Sequence, residues 1–393
     1  MRKEGPETRF SFGLADYQPY PLTAIVSTRM RFLAGTASDA SCTAVKLSMN
    51  SSYVADISTT PGPLFVVGVW RSGTSLLYSL LNQHSRIALL YEGDLPLLWP
   101  LFWLKPSENW LAKWNFWNQA VTRHRIDTTQ PPGDFKDLRG ACEGVYKHYA
   151  NTKGASIWGE KSPTFHDRLP YLAKMFPTAR FVIIWRSPMG ICSSMARAAR
   201  TSSWNARKGV RHRALMGCEE MQHGRKWLQT HGRQVHELSY DELTANPEAS
   251  LRSLCDFLDI SYEPQMALLA DSDRSAIYQG EHHILVKSTS IAKAKDHSDA
   301  LSLEFKQKIQ RYMTMWQRKF SASWPPVLNS PVVDCREPSF IERTWDRSRY
   351  NALRSADLIV RMSLRVIPIG IWRCYRDFRE RRYRAQKPSG NGA

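Results

Sequence analysis

Five consecutive residues, Arg71-Ser72-Gly73-Thr74-Ser75, combine a cation, a glycine and three hydroxyl groups directly after an apolar run. The run Leu64–Val69 predicts a buried strand, and the leucines of residues 76–81 recur with helical spacing. The five residues therefore form a turn between a strand and a helix. Such a turn points backbone N–H groups and the positive end of the helix dipole at one anion. The sequence predicts a site for a phosphate-like group.

The same segment differs from the loop of nucleotide triphosphatases. Gly68 and Gly73 have the Gly-x-x-x-x-Gly spacing of that loop, but Thr74 stands where the loop needs a lysine. The positive charge lies within the turn instead, at Arg71. This pattern indicates a ligand other than ATP.

A second segment repeats the combination of a strand, a cation and a helix. Residues 180–185 predict a buried strand, Arg186 follows it directly, and a helix begins near Pro188. Ser194 lies eight residues after Arg186, on that helix. A guanidinium holds a phosphate dianion through two parallel charge-assisted hydrogen bonds, and a nearby hydroxyl adds a third.

A third unit completes the pattern that positions these residues. Residues 235–238 predict a short strand, and Asn246-Pro247 predicts the start of another helix. Strands that alternate with helices predict an α/β fold, here a parallel sheet with helices on both faces. Ligands of such sheets bind beyond the carboxyl ends of the strands, where Arg71 and Arg186 both lie.

These three segments together resemble the sulfotransferases that use 3′-phosphoadenosine 5′-phosphosulfate (PAPS). Residues 71–75 are similar to the family's 5′-phosphosulfate loop, Arg186 and Ser194 to its 3′-phosphate site, and residues 238–247 to its Tyr-Glu-x-Leu segment. Arginine in the loop is nearest the tyrosylprotein branch and its bacterial relatives. The resemblance covers roughly residues 63–320 and implies a P-loop NTPase-like sheet in a single sulfotransferase domain.

The resemblance implies a set of residues that bind the donor. Tyr240 is expected near the nucleotide, with a core tyrosine as the alternative, and a basic loop over the 3′-phosphate would use Lys293 or Lys295. The implied donor-binding residues are Arg71, Ser72, Gly73, Thr74, Ser75, Arg186, Ser194, Tyr240 and Lys293.

The resemblance also implies a catalytic set, to which Arg71 belongs. Lys161 matches the family's lysine between the two phosphate motifs and is expected to hydrogen-bond the bridging oxygen as its bond breaks. The tyrosylprotein branch uses a glutamate 21 residues beyond the loop arginine, which is Glu92 here. Glu92 is therefore the expected general base, with His166 as the alternative, and Glu160 is expected to be a local partner of Lys161. No metal is required in principle, because a sulfuryl group carries less charge than a phosphoryl group.

The bulk composition is consistent with an anionic ligand. The chain of 393 residues has 54 Lys and Arg against 36 Asp and Glu, a net charge of +18, and 42 % hydrophobic residues that can form a core. Seven scattered cysteines without a Cys-x-x-Cys pair favour neither a zinc site nor a disulfide framework. No secretory signal or membrane span is recognisable, and a cytoplasmic protein is expected.

The ends of the chain differ from its centre. Residues 1–62 form an N-terminal extension without an assigned role, and residues 321–393 are expected to form a linker and a basic C-terminal segment. The apolar residues between Leu358 and Phe378 alternate with arginines. A solvated basic helix is one interpretation, and a peripheral contact with an anionic membrane is the other.

The expected reaction is sulfuryl transfer from PAPS to a hydroxyl of a carbohydrate, a peptide tyrosine or a lipid. The acceptor itself is unknown, because residues 93–156 and 200–232, which are expected to bind it, carry no recognisable pattern. One alternative is a P-loop small-molecule kinase, which would need a loop lysine and a strand-end aspartate. The other is a non-catalytic basic module that binds glycan or nucleic acid. No nucleic acid is expected as a partner of the enzyme.

Overall fold

The computed structural model describes residues 61–101, 113–114, 124, 126, 137–199, 209–277, 290–294, 298–321, 325, 328 and 336–386. Within these residues, five parallel strands pair in the order β2-β3-β1-β4-β5. The strands are β1 Leu64–Val67, β2 Ile87–Tyr91, β3 Ile157–Lys161, β4 Arg180–Trp185 and β5 Gln234–Ser239. The predicted fold class, a P-loop NTPase-like parallel sheet flanked by helices, is confirmed. Two strands, β2 and β3, are additional to the three that the sequence analysis assigned.

Ten α-helices lie in the described part of the chain. They are α1 Thr74–Leu81, α2 Leu138–Thr152, α3 Leu169–Met175, α4 Pro188–Ala198, α5 Val210–Thr230, α6 Tyr240–Ala245, α7 Pro247–Leu258, α8 Leu303–Lys319, α9 Phe340–Val366 and α10 Ile369–Gln386. Two 3₁₀ segments, Leu95–Leu101 and Pro163–Asp167, follow β2 and β3. None of these helices is both long and apolar enough to cross a bilayer.

Two apolar layers cover the two faces of the sheet, because successive strand residues point in opposite directions. Phe65 and Val67 of β1 pack into one layer with α2 to α5 and α8. Leu64 and Val66 pack into the other with α1, α6 and α7. Phe65 lies 5.5–6.4 Å from four other aromatic rings, centroid to centroid. Removing its ring would cost about 3–5 kcal/mol, so this layer fixes the central strand.

Glycine at position 159 allows β3 to lie close to β1. A Cβ atom at Gly159 would lie 2.0 Å from the carbonyl oxygen of Leu64. No larger residue fits at that distance. The close approach fixes the end of β3, and with it Lys161, beside the loop that follows β1.

Helix α9, the second last of the described helices, packs on the first layer through polar groups. It begins with a capping box between Ser339 and Glu342. Arg347 is paired with Glu219 of α5 at 2.8 Å, and Tyr350 donates to Asp167 at 3.2 Å. The stretch expected to be a linker and basic segment therefore contributes a helix that contacts the body of the sheet unit.

Candidate active site

One of the predicted site residues from each strand region lies along the carboxyl edge of the sheet. In spatial order, Glu92 follows β2, Lys161 ends β3, the Arg71 loop follows β1, Arg186 follows β4 and Tyr240 follows β5. These residues lie far apart along the chain, up to 169 positions from Arg71 to Tyr240. Parallel pairing brings them to one edge, because all five strands end there.

The loop after β1 leads directly into helix α1. The Ser72 N–H donates to the Val69 carbonyl at 3.0 Å, and the buried Ser72 hydroxyl lies against Gly68. The first helical hydrogen bond joins the Leu77 N–H to the Gly73 carbonyl at 3.0 Å. The N–H groups of Thr74 and Ser75 therefore precede the helical ladder and lie at its positive end.

Two guanidinium groups converge beside this loop. Arg186 donates from Nη1 to the backbone carbonyl of Arg71 at 3.0 Å. Arg71 donates from Nε to the Ser194 hydroxyl of α4 at 3.2 Å. Burial, and after it the charge of Arg186, lowers the pKa of Arg71 to about 10. The structure thus brings together the residues that the sequence analysis assigned to two separate phosphate sites.

Tyr240 closes this end of the site. The guanidinium of Arg186 lies 4.3 Å from the centroid of the Tyr240 ring, and the same ring lies against Gly73. A Cβ atom at Gly73 would lie 2.3 Å from Tyr240 Cδ2, and Gly73 has a φ of 104°, in the left-handed region. Tyr240 therefore orients the arginine and restricts the loop to glycine at this position.

These residues fit a donor with negative charge at both ends. The two neighbouring cations repel each other. Each is also partly removed from water, and this burial lowers the pKa of Arg186 as it lowers that of Arg71. An anion between them would relieve both effects. Arg186 and Ser194 would hold one anionic group, and Arg71 with the start of α1 would hold the other.

The expected catalytic pair is in direct contact. Lys161 Nζ lies 2.5 Å from Glu92 Oε1 and donates to the Ser75 hydroxyl at 3.0 Å. The side chain of Lys161 is fully buried, and its ammonium lies 4.0 Å from the centroid of the Tyr91 ring. Lys161 therefore joins the predicted base to the anion-binding loop.

Glu92 has a φ of 48°, a conformation that residues other than glycine rarely adopt. Its N–H donates to the Lys161 carbonyl at 2.8 Å and continues the pairing of β2 with β3 beyond Tyr91. Strain of this kind is often found at functional positions. This backbone conformation accompanies the contact of the Glu92 carboxylate with Lys161.

Glu160 is not the local partner of Lys161, and that expectation was wrong. The Glu160 carboxylate accepts from the Tyr146 hydroxyl at 2.7 Å and from the N–H groups of Asp94 and Leu95. The physical reason is the alternation of side chains along β3, which sends adjacent residues to opposite faces. Burial, and then the charge of Asp94, raises the pKa of Glu160 to about 8.

Asp94 and Arg361 are additional residues near the site that the sequence analysis missed. Asp94 accepts from the hydroxyls of Ser162 at 2.6 Å and Thr164 at 2.7 Å, and burial raises its pKa. Arg361 of α9 donates to the Leu97 carbonyl at 3.0 Å. The position of Asp94, two residues after Glu92, could have suggested it, whereas no local pattern indicates Arg361.

His166, the alternative base, is buried below the site. Its Nδ1 lies 2.7 Å from the Pro163 carbonyl, and its ring packs edge-on against Trp70. A Cβ atom at Gly217 would lie 2.7 Å from its Nε2. Burial lowers its pKa. The enclosure by α5 and Trp70 makes Glu92 the better placed base.

The position of Lys293 is described, whereas Lys295 lies outside the described residues. Lys293 is exposed, and the N–H of its neighbour Ala294 donates to the Thr244 hydroxyl of α6 at 3.1 Å. Lys293 therefore lies at the Tyr240 end of the site. Among the described residues, no group of three or more His, Cys, Asp or Glu side chains is arranged to hold a metal ion.

Comparison with known proteins gives a family match over the region that forms this site. The model of the Sulfotransferase family matches residues 63–264, which is more than half of the chain. That region contains all the strands of the described part of the chain and all the residues of this candidate site except Lys293, Ala294, Lys295 and Arg361.

Individual relatives are more distant. An uncharacterised protein of Aquifex aeolicus is 24 % identical over 272 residues, which are 64 % of this chain and 31 % of that protein. The chain thus spans about a third of the length of that relative. A Caenorhabditis briggsae protein, provisionally named a protein-tyrosine sulfotransferase, is 26 % identical over 52 % of this chain and 67 % of its own. The solved sulfotransferase domain of the Synechococcus PCC 7002 olefin synthase is 18 % identical, with a TM-score of 0.44, over 62 % of this chain and 90 % of that one.

Proposed function

This chain belongs to the sulfotransferase family, and we propose that it transfers the sulfuryl group of PAPS to a hydroxyl acceptor. The observation that carries the proposal is the order of residues along the sheet edge. The base Glu92 and the buried Lys161 lie on one side of the Arg71 loop, and Arg186 and Tyr240 lie on the other. A donor with a sulfuryl group at one end and a 3′-phosphate at the other matches this order.

Different residues of the chain bind the two ends of the donor. Arg186 and Ser194 bind the 3′-phosphate, and Tyr240 holds the Arg186 guanidinium by stacking at 4.3 Å. Arg71 and the N–H groups at the start of α1 bind the 5′ end. Each charge-assisted hydrogen bond of this kind contributes about 1.5–3 kcal/mol.

The chemistry requires one proton acceptor and one hydrogen-bond donor. Glu92 takes the proton of the acceptor hydroxyl as the acceptor oxygen forms its bond to sulfur. The bond from sulfur to the 5′-phosphate oxygen breaks, and its electron pair stays on that oxygen, which gives 3′-phosphoadenosine 5′-phosphate. Lys161 donates a hydrogen bond to that oxygen and so stabilises the growing negative charge. The contact of Lys161 with Ser75 at 3.0 Å supports this role, because Ser75 belongs to the loop that binds the 5′ end.

The proposal predicts a selective response to nucleotides in a thermal-shift assay. Without added magnesium, 3′-phosphoadenosine 5′-phosphate should raise the Tm, and ATP should raise it weakly or not at all. At a ligand concentration one hundred times Kd, linkage gives about 2.7 kcal/mol of stabilisation. Equal shifts from both nucleotides would contradict the donor assignment and favour a kinase.

The acceptor is proposed only as a class, a hydroxyl of a carbohydrate, a peptide tyrosine or a lipid. A screen with PAPS labelled in the sulfuryl group, against one representative of each class, would separate the three. Selective nucleotide binding with no labelled product from any class would favour a non-catalytic binding module.

A further inference from the structure

The polarity of α9 is the reverse of that of an ordinary surface helix. Its inward side carries Tyr350, Asp357 and Arg361, which are 0 %, 0 % and 1 % exposed. Its outward side carries large apolar side chains, each at least 67 % exposed, that we call the apolar stripe: Phe340, Ile341, Trp345, Ile359 and Val366. A helix on a protein surface normally buries its apolar side.

Helix geometry places four of the five residues of the stripe on one side. Residues 341, 345, 359 and 366 fall within a sector of about 60° at 100° per residue, and residues 350, 357 and 361 lie opposite. The 27 residues of α9 span about 40 Å. The stripe is therefore a long, shallow row rather than a pocket.

Specific polar contacts fix this orientation. Asp357 is paired with Arg213 of α5, and Asp346 accepts from Tyr312 at 2.8 Å and is paired with Lys308 at 2.6 Å. Arg354 lies 3.6 Å from Asp167. Rotating α9 to hide the stripe would expose these paired groups of opposite charge and separate them. The outward position of the stripe is thus held by the inward contacts.

The surroundings of the stripe are strongly basic. Residues 340–386 contain twelve arginines against five acidic residues. Two of those acidic residues, Asp346 and Asp357, and three of the arginines, Arg347, Arg354 and Arg361, face inward, which leaves nine arginines against three acidic residues. Outside, Arg349 lies beside the stripe, and Arg373 and Arg381 are exposed on α10 together with the apolar residues Ile371 and Phe378.

We propose that the outward side of α9 and α10 binds the surface of an anionic lipid bilayer, with the apolar stripe entering the headgroup layer. The arginines match the charge of anionic headgroups, and an exposed tryptophan such as Trp345 is typical of the bilayer interface. Pro368 lies between the two helices, so each helix makes its own contact. The contact begins at Phe340, further toward the N-terminus than the segment that the sequence pattern indicated.

The charge and the pattern favour lipid over a second copy of the chain. Two chains of net charge +18 would repel each other when their arginine-rich helices meet. Ser348 and Ser355 are exposed and lie within the stripe, where a paired helix would need apolar residues. Serine is tolerated in the headgroup layer.

Sedimentation of the full chain with vesicles tests the proposal. The chain should sediment with vesicles of phosphatidylcholine and phosphatidylserine at low salt, much less with phosphatidylcholine alone, and should be released at high salt. The double variant W345S/I359S should bind about tenfold or more weakly. The matched control Leu268→Ser removes a 53 % exposed leucine from a different part of the chain and should change nothing. The charge variant R373E/R381E should lose the preference for anionic vesicles.

Other results would overturn the proposal. Failure of the chain to sediment with anionic vesicles would do so directly, as would sedimentation that W345S/I359S leaves unchanged. A dimer in sedimentation velocity that W345S/I359S dissociates would make the stripe an interface between copies. A large loss of Tm in that variant would show that another part of the same chain covers it. The response to 3′-phosphoadenosine 5′-phosphate should be unchanged in both double variants.

Discussion

The carboxylate of Glu92 lies 2.5 Å from the ammonium of Lys161, at the ends of two neighbouring parallel strands. The predicted base and the predicted leaving-group donor therefore form one ion pair. In the proposed reaction, each partner of this pair interacts with a different oxygen, Glu92 with that of the acceptor and Lys161 with that of the leaving phosphate.

Replacing Glu92 with glutamine should separate binding from catalysis. We expect Glu92→Gln to lower turnover about 10²–10⁴-fold, since the general base is lost, and to leave the affinity for 3′-phosphoadenosine 5′-phosphate nearly unchanged. Product formation from labelled PAPS and calorimetric titration give the two quantities. Glu143→Gln, on α2, where the partly exposed Glu143 is paired with Arg139 and Lys147, is the control. Normal turnover in Glu92→Gln would show that another group is the base.

Removing the Arg186 guanidinium should weaken donor binding. We expect Arg186→Ala to weaken binding of 3′-phosphoadenosine 5′-phosphate by about 1.5–3 kcal/mol, the value of a charged hydrogen bond. Arg252 is a close control, because its guanidinium lies 4.2 Å from the Tyr262 ring on an exposed part of α7. Arg252→Ala should leave the affinity unchanged, and an equal loss in both variants would argue for a general charge effect.

Adding one methyl group to the anion-binding loop should disturb it strongly. Gly73→Ala should lower both stability and nucleotide affinity, because the new Cβ atom meets Tyr240 and the left-handed backbone is strained. Overpacking of this kind costs about 1–3 kcal/mol, and the backbone adds about 1–2 kcal/mol. Gly154→Ala shares a positive φ but has no atom within 4 Å of its new Cβ, so only the backbone cost applies. Urea unfolding of both variants measures the difference, and equal losses would mean that the Tyr240 contact is unimportant.

The raised pKa of Glu160 should make stability fall as pH rises. The folded protein keeps a proton on Glu160 up to a pKa of about 8, whereas the ordinary value is 4.5. Between these values the folded state binds more protons than the unfolded chain, so the stability contribution is full below pH 4.5 and is lost as pH approaches 8. The slope is at most about 1.4 kcal/mol per pH unit.

Glu160→Gln, which cannot ionise, tests this effect. Relative to the natural chain, its free energy of unfolding should increase steadily from pH 5 to pH 8 in urea titrations. Glu143→Gln, which replaces a partly exposed carboxylate of α2, is the matched control. A difference that stays constant over this range would mean that Glu160 is ionised in the folded protein.

The residues at the strand ends could be predicted from the sequence because each follows its own apolar run. Arg71 and Arg186 come directly after such runs, and the parallel pairing of the strands places both residues at the same edge of the sheet. Glu92 follows the short run of β2, which carries no flanking turn signal as clear as that of β1. Only its spacing from Arg71, interpreted through a family resemblance, identified it.

The contacts of α9 could not be predicted from its own sequence. An isolated amphipathic pattern predicts that the apolar side faces inward. The structure reverses this, because Asp167, Glu219 and Arg213 lie far away in the sequence and provide ionic partners for the polar side. The side chain of Glu160, by contrast, points away from that of Lys161 because neighbouring residues of a strand alternate between its two faces. This could have been predicted once residues 157–161 were assigned to a strand.

The sheet order also sets a distance that does not depend on the loops. Lys161 ends β3 and Arg186 follows β4, with β1 between them, so two interstrand spacings of about 4.8 Å each separate the two positions. The sheet therefore sets a separation of about 10 Å between the positions that we propose for the sulfuryl and the 3′-phosphate ends of the donor. Insertions or deletions in residues 93–156, between β2 and β3, leave this separation unchanged. The part of the chain expected to select the acceptor can therefore diverge in length over evolution while the geometry for the donor stays constant.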